Sequence, residues 1–253
     1  MIGFYTYFKR EVARFMQDAL NTIAPSATSV ILYIMIFGVA LATRLGLVEG
    51  QSYTSFMMPG LILVSVITNS FYNPAFSILQ SRLYGNIADV LSSPLATSQI
   101  ALAVILAGML RGLVVGTLII LTAWLVLGFQ VQEPLFTLLY LLIASMAFAA
   151  LGSIAGLWTH GWEGVNVITV FFLDPLVLLG GVFYSLEMLQ SAPLLKTITE
   201  INPFTTIIGG LRAAMIGTTE ISVESGLLLT GILALIFVSL ALLLFHRGYH
   251  LKA

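Results

Sequence analysis

The sequence predicts an all-α, polytopic membrane protein with six transmembrane helices, an N-terminal interfacial helix, a short cytoplasmic helix after the second span, and outer amphipathic helices between spans five and six. Three observations predict it. Of 253 residues, 59% are hydrophobic and 8% charged, whereas soluble domains are about 45–50% apolar and about 25% charged. So few charges cannot cover so much apolar surface in water, so the solvent is lipid. The apolar residues also fall in continuous runs of membrane length, roughly 20 residues for about 30 Å of hydrocarbon. These runs do not alternate, which selects helices over a barrel.

The chain reads as one transmembrane domain, 1–253. Residues 1–25 form the interfacial helix: Phe4, Phe8, Val12, Phe15 and Ala19 recur at helical spacing, while Lys9, Arg10, Glu11, Arg14 and Asp18 interrupt any continuous apolar core. That pattern describes a helix lying in the bilayer surface, or else a surface helix packed on a soluble partner, rather than a cleaved signal. Residues 26–184 hold spans one to five: Ser26 to Leu45, Tyr53 to Leu79, Ile100 to Phe129, Leu135 to Trp158 and Val165 to Tyr184. Between the second and third, residues 80–94 collect charge and turn residues and read as a short, partly apolar helix. Tyr84, Ile87 and Leu91 form its apolar stripe, suited either to a partner's groove or to the protein's own surface.

Residues 185–226 are too many for a turn and too apolar for a free loop. Asn202 and Pro203 start a helix there, because an Asn side chain satisfies a free N–H at an N-cap and proline at the first position has none to satisfy. The following Phe204, Ile207, Ile208, Leu211 and Met215 give an amphipathic helix at the outer leaflet or dipping into it. Residues 227–245 are span six and 246–253 a cytoplasmic tail. With an even number of spans both termini share a side. Lys9, Arg10, Arg14, Arg82, Arg247 and Lys252 on that side outnumber Arg44, Lys196 and Arg212 opposite, which predicts cytoplasmic termini.

Within the spans, Arg111 and Asp174 each carry a burial cost of roughly 2.5–3.5 kcal/mol at a helix centre, so neither faces lipid. Counted from the cytoplasmic ends of their spans they lie about 16 and 14 Å deep, which allows an ion pair. The two read as a structural ion pair, as side chains satisfied separately by backbone carbonyls, or as groups that line a substrate path or relay protons. Asn69 and Asn73 are the other candidate pathway groups, which either hydrogen-bond across helices or face a route walled by apolar side chains such as Phe71, Tyr72 and Phe76, and the Gly108, Gly112, Gly116 ladder reads as close helix packing. No P-loop, Ser/His/Asp set or metal-ligand cluster is present, and cysteine is absent. The chain is therefore expected to be no enzyme and to bind no cofactor or metal of its own. A net charge of −1 without a basic stripe gives nucleic acid nothing to bind.

Three segments in order carry a resemblance: Asn21-Thr22-Ile23-Ala24-Pro25 closing the interfacial helix, Gly85-Asn86-Ile87-Ala88-Asp89-Val90-Leu91-Ser92-Ser93-Pro94 after span two, and Gly180-Gly181-Val182-Phe183-Tyr184-Ser185 leading to Ile201-Asn202-Pro203. Nearly the whole chain resembles the permease subunits of ABC-2 type exporters, in the branch that includes drug, nodulation-factor and polysaccharide export permeases. The resemblance implies a homodimer joined to two separate ABC ATPase subunits, which hold the ATP and Mg, in a bacterial plasma (inner) membrane. It implies that Tyr84, Gly85, Asn86, Ile87, Asp89, Leu91 and Pro94 form the coupling helix on the ATPase, and that spans one, two and five line the dimer interface and the export route. The expected activity is outward movement of an amphipathic small molecule or lipid-linked glycan by alternating access. The alternatives are an ion-coupled transporter using Arg111 and Asp174, and a membrane anchor for a soluble partner.

Overall fold

The computed structural model describes residues 2–17, 19–33, 35–36, 47–48, 50–218 and 220–249, with backbone alone at 19–23, 27 and 91. Helices α1 (Ile2–Gln17) and α2 (Ala19–Tyr33) lead into a two-residue hairpin, Leu47–Val48 paired antiparallel with Gln51–Ser52. Then come α3 (Tyr53–Leu83), α4 (Ile87–Ser92), α5 (Thr97–Leu127), α6 (Pro134–Trp158), α7 (Trp162–Ile168), a π turn (Thr169–Leu173) and α8 (Asp174–Leu178). A 3₁₀ turn (Glu187–Leu189), α9 (Pro193–Ile201), α10 (Pro203–Ile216) and α11 (Val223–His246) complete the order.

Four helices, α3, α5, α6 and α11, are long and apolar enough to cross a membrane. They coincide with predicted spans two, three, four and six. Most of the second half of span one, Arg44 among it, lies outside the described residues, as do Asp18, His250 and Lys252. Span five differs from the expected continuous helix. It runs through α7, the π turn and α8 only to Leu178, about 25 Å by helical rise, and the chain then turns at Gly180–Gly181 before Tyr184 is reached.

The central pillar is α3, buried between α5 and α6. A backbone can approach this closely only where side chains are absent. A Cβ on Gly152 of α6 would run into the Phe71 backbone, lying 2.8 Å from its carbonyl carbon and 2.9 Å from its Cα. One on Gly156 would lie 2.6 Å from the Ala75 carbonyl oxygen, and one on Gly108 of α5 would lie 2.8 Å from Pro74 and 3.0 Å from the Ser70 carbonyl oxygen. The glycine ladder is thus a helix seam, as expected, and Phe71 is a fully buried core residue against that seam rather than a lining of any route.

Helix α10 is not amphipathic in place. Every residue from Phe204 to Ile216 except Thr206 is buried or nearly so, because the helix is inserted among α3, α6 and α11 instead of lying on the surface. Its C-terminal end is tied to the outer turns, with Gln51 and Gln132 side chains both donating to the Ile216 carbonyl, at 3.2 and 3.1 Å. Its N-terminal end lies about 20 Å away along the helix axis. The surface-active partner is α9, whose Leu194, Ile198 and Ile201 are exposed. Together α9 and α10 make a helical hairpin with Asn202 at the tip.

Candidate functional site

The polar residues fall into three groups, each held by a different part of the bundle. The first is the knuckle after α3. The predicted helix over 80–94 is divided: α3 continues to Leu83, Tyr84 to Asn86 make a turn, and only Ile87–Ser92 is a separate helix. Gly85 takes φ +75°, a conformation an L side chain adopts at a cost, which is how the chain reverses so sharply. Tyr84, Gly85, Asn86, Ala88 and Asp89 are exposed, whereas Val90 is buried and Ile87 half-buried against Ile78, Ile100 and Leu157. Tyr84 and Ile87 therefore do not share one apolar stripe, and the Leu91 side chain lies outside the described part. Pro94 is exposed where the segment ends.

Two clasps fix this knuckle. Arg82 Nη1 donates toward the carbonyls of Gly156, Leu157 and Thr159, at 2.9, 2.8 and 2.9 Å. These lie at the C-terminal end of α6, where carbonyls lack intrahelical partners and a cation complements the helix dipole. On the other side Glu11 of α1, 1% exposed, accepts from Ser77 Oγ at 2.6 Å and pairs with Arg14 at 3.1 Å and Arg10 at 3.3 Å. Arg14 also donates to the Asn73 carbonyl at 3.2 Å. The helical spacing of the apolar residues on α1 does not reveal Glu11, which points inward onto α3. Only the absence of charge on α3 near Ser77 hints that a carboxylate docks there. Tyr7, packed under Arg10 with the guanidinium 4.6 Å from its ring centre, has its phenol pushed up to about 12, chiefly by burial and then by Glu11. Between α1 and the knuckle opens a cleft of about 460 Å³ lined by Arg10, Glu11, Arg14, Ser77, Tyr84 and Asp89.

The second group is intramembrane. Arg111 does not pair with Asp174. Its Nη2 donates to Asn69 Oδ1 at 3.1 Å, and Asn69 Nδ2 donates in turn to Ser26 Oγ and the Ser65 carbonyl, both at 2.9 Å. An amide side chain thus joins α2, α3 and α5. Asp174 faces instead a cavity shared with Val64, Ile67 and Thr68 of α3. Similar depth did not bring the two together because α3 presents Asn69 to one and Thr68 to the other. Asn73 is buried, with its side-chain nitrogen lacking a partner among the described residues. Tyr72 stacks on Phe76 at 5.0 Å, and Phe76 meets Trp162 at 5.2 Å where span five begins.

The third group pins the α9–α10 hairpin. Asn202 works at both ends of its amide: Oδ1 accepts the Phe204 N–H at 3.0 Å, the expected N-cap, and Nδ2 donates to the Leu176 carbonyl in α8 at 2.6 Å. Pro203 follows at the first helical position. Near the other end, Arg212 is 4% exposed; Nε donates to the Phe56 carbonyl at 3.1 Å, Nη2 to the Gly181 carbonyl at 2.7 Å, and the guanidinium lies 3.7 Å from the Phe56 ring centre. Counted by sequence as an outer-face charge, Arg212 is a buried bolt between α10, α3 and the turn after α8.

This arrangement is matched by the family model for the ABC-2 type transporter over residues 3–216. The chain belongs to the ABC-2 type transporter family. It is 31% identical over 249 residues to the inner membrane transport permease YadH of Escherichia coli strain K12, covering 98% of this chain and 96% of that protein. It is 24% identical over 247 residues to nodulation protein J of Neorhizobium galegae, covering 96% and 93%, and 24% identical over 255 residues to nodulation protein J of Rhizobium leguminosarum bv. viciae, covering 96% and 94%. As an ABC-2 protein the chain is a multi-pass membrane component of a transporter.

Proposed function

We propose that this chain is the six-span permease subunit of an ATP-driven exporter in a bacterial inner membrane, with both termini cytoplasmic. It works as a homodimer with separate ABC ATPase subunits, which bind ATP and Mg and carry out hydrolysis. The cargo is an amphipathic small molecule or lipid-linked glycan moved outward by alternating access. Family membership supports the transporter reading, and the name of the relative YadH, an inner membrane transport permease, supports a permease subunit and its membrane.

The observation that carries the reading is the knuckle from Tyr84 to Asp89. It projects an exposed aromatic and a short helix from a 31-residue helix, while Arg82 and Glu11 brace its root. A rigid projection of this kind transmits a partner's movement to the spans behind it. The side chains available to a partner are Tyr84, Asn86, Ala88 and Asp89; Ile87 serves mainly the protein's own packing. Tyr84→Asp leaves the bundle intact and is expected to abolish capture of the ATPase and export together. Normal capture and export by Tyr84→Asp combined with Ala88→Arg would refute the coupling role.

A further inference from the structure

Asp174 follows directly on the π turn and lines a cavity of about 210 Å³ with Tyr33, Val64, Ile67, Thr68 and Thr169. In a regular α-helix a separation of five residues leaves about 140° between side chains, so Thr169 and Asp174 would diverge. The π turn absorbs the extra residue and brings both to one cavity, a use for which such turns recur at functional sites.

Nothing described in the chain answers this carboxylate. No ion pair or side-chain hydrogen bond among the described residues includes Asp174. Among the described residues, the basic groups placed within the bundle are engaged elsewhere: Arg111 by Asn69, and Arg212 by two carbonyls and a ring. The threonine hydroxyls in the cavity are no better as partners. Thr68 donates its proton to the Val64 carbonyl at 2.8 Å and Thr169 donates to the Val165 carbonyl at 3.1 Å. What these two threonines offer the cavity is lone pairs. A carboxylate, two acceptor hydroxyls, apolar walls and the Tyr33 ring, one of whose faces suits a cation, make a site for a donor with positive charge.

We propose that this cavity receives the cationic, N–H-bearing end of the cargo, an alkyl- or arylammonium group on an apolar body. The proposal rests on the permease reading and narrows its substrate class. The cavity is smaller than the roughly 300–1,000 Å³ that encloses a whole small molecule, so it seats the charged end and leaves the apolar body toward lipid or the neighbouring copy.

The test is binding of dansylcadaverine, a primary alkylammonium on an apolar fluorescent body, to the full chain in phosphatidylcholine nanodiscs, read by fluorescence anisotropy against empty discs. Wild type is expected to bind saturably. Asp174→Asn is expected to weaken binding about 10-fold or more, as loss of one charge-assisted contact requires, while Asp174→Glu stays within about 3-fold. Equal binding by Asp174→Asn, or no saturable binding by wild type, overturns the site. Should Asp174→Asn not be recovered folded, Thr68→Phe, which fills the cavity and keeps the carboxylate, decides: lost binding supports the site and unchanged affinity overturns it. Capture of the ATPase through Tyr84 is read separately. Normal capture without cation binding refutes this inference alone, whereas lost capture in the wild type refutes the permease reading.

Discussion

Replacing Arg212 by Met tests whether the α9–α10 hairpin is bolted or merely packed. Met fills much of the aliphatic volume, so the loss isolates the guanidinium. That group makes two hydrogen bonds to backbone carbonyls, at 3.1 and 2.7 Å, and lies 3.7 Å from the Phe56 ring centre. Hydrogen bonds to a charged donor contribute about 1.5–3 kcal/mol each, and a desolvated cation–π contact about 2 kcal/mol. The burial cost of the cation itself offsets part of this. Truncating one member of a buried charged network typically costs about 3–5 kcal/mol, and that is the loss expected here. The Gly181 carbonyl, in a turn with no helical partner to return to, is the group left most exposed to the penalty. The assay is reversible unfolding of the purified protein in mixed micelles, followed by tryptophan fluorescence. Arg212→Lys, which cannot reproduce the planar fork, is expected to fall between wild type and Met. Stability of Arg212→Met within about 1 kcal/mol of wild type would show that the carbonyls do not depend on Arg212 and would refute the bolt.

Two further substitutions probe the seam and the hairpin tip. Gly152→Ala forces a methyl into the Phe71 backbone and is expected to cost the top of the roughly 1–3 kcal/mol overpacking range, whereas Gly231→Ala, with nothing within 4 Å of the added carbon, stays within about 1 kcal/mol; the same unfolding assay measures both. Asn202→Ala removes a cap, about 1 kcal/mol, and orphans the Leu176 carbonyl, about 1–3 kcal/mol more. Asn202→Asp keeps the cap but sets a second acceptor against that carbonyl, so it is expected to be the less stable of the two, and the reverse order would remove the Asn202 to Leu176 bond from the account.

Much of this fold was legible because lipid imposes a simple rule on composition: α3, α5, α6 and α11 are unmistakable as apolar runs. The knuckle and the Asn202–Pro203 start were legible for a different reason, since turn and capping chemistry is local and needs no knowledge of neighbours. What stayed hidden depends on which way a helix is turned. The sequence of α10 has enough polar positions to read as amphipathic, yet Arg212 and Thr205 find carbonyl partners inside the bundle, so the helix is enclosed. Arg111 and Asp174 share a depth but not a direction, which spacing along two separate helices cannot express. Glu11 reads as a surface charge until Ser77 and Arg14 are seen to close around it.

The reach of Arg82 across to the end of α6 has an effect on where the bundle can bend. With the close-backed contact at Gly152 and Gly156 above it, this crossing turns two long helices into a single stiff block whose lower corner is the projection at Asn86. A push at that corner tilts both helices together. The compliance then has to come from elements outside the block, and the widened turn before Asp174 and the glycine pair beyond Leu178 are the places where the backbone is least committed to a regular helix.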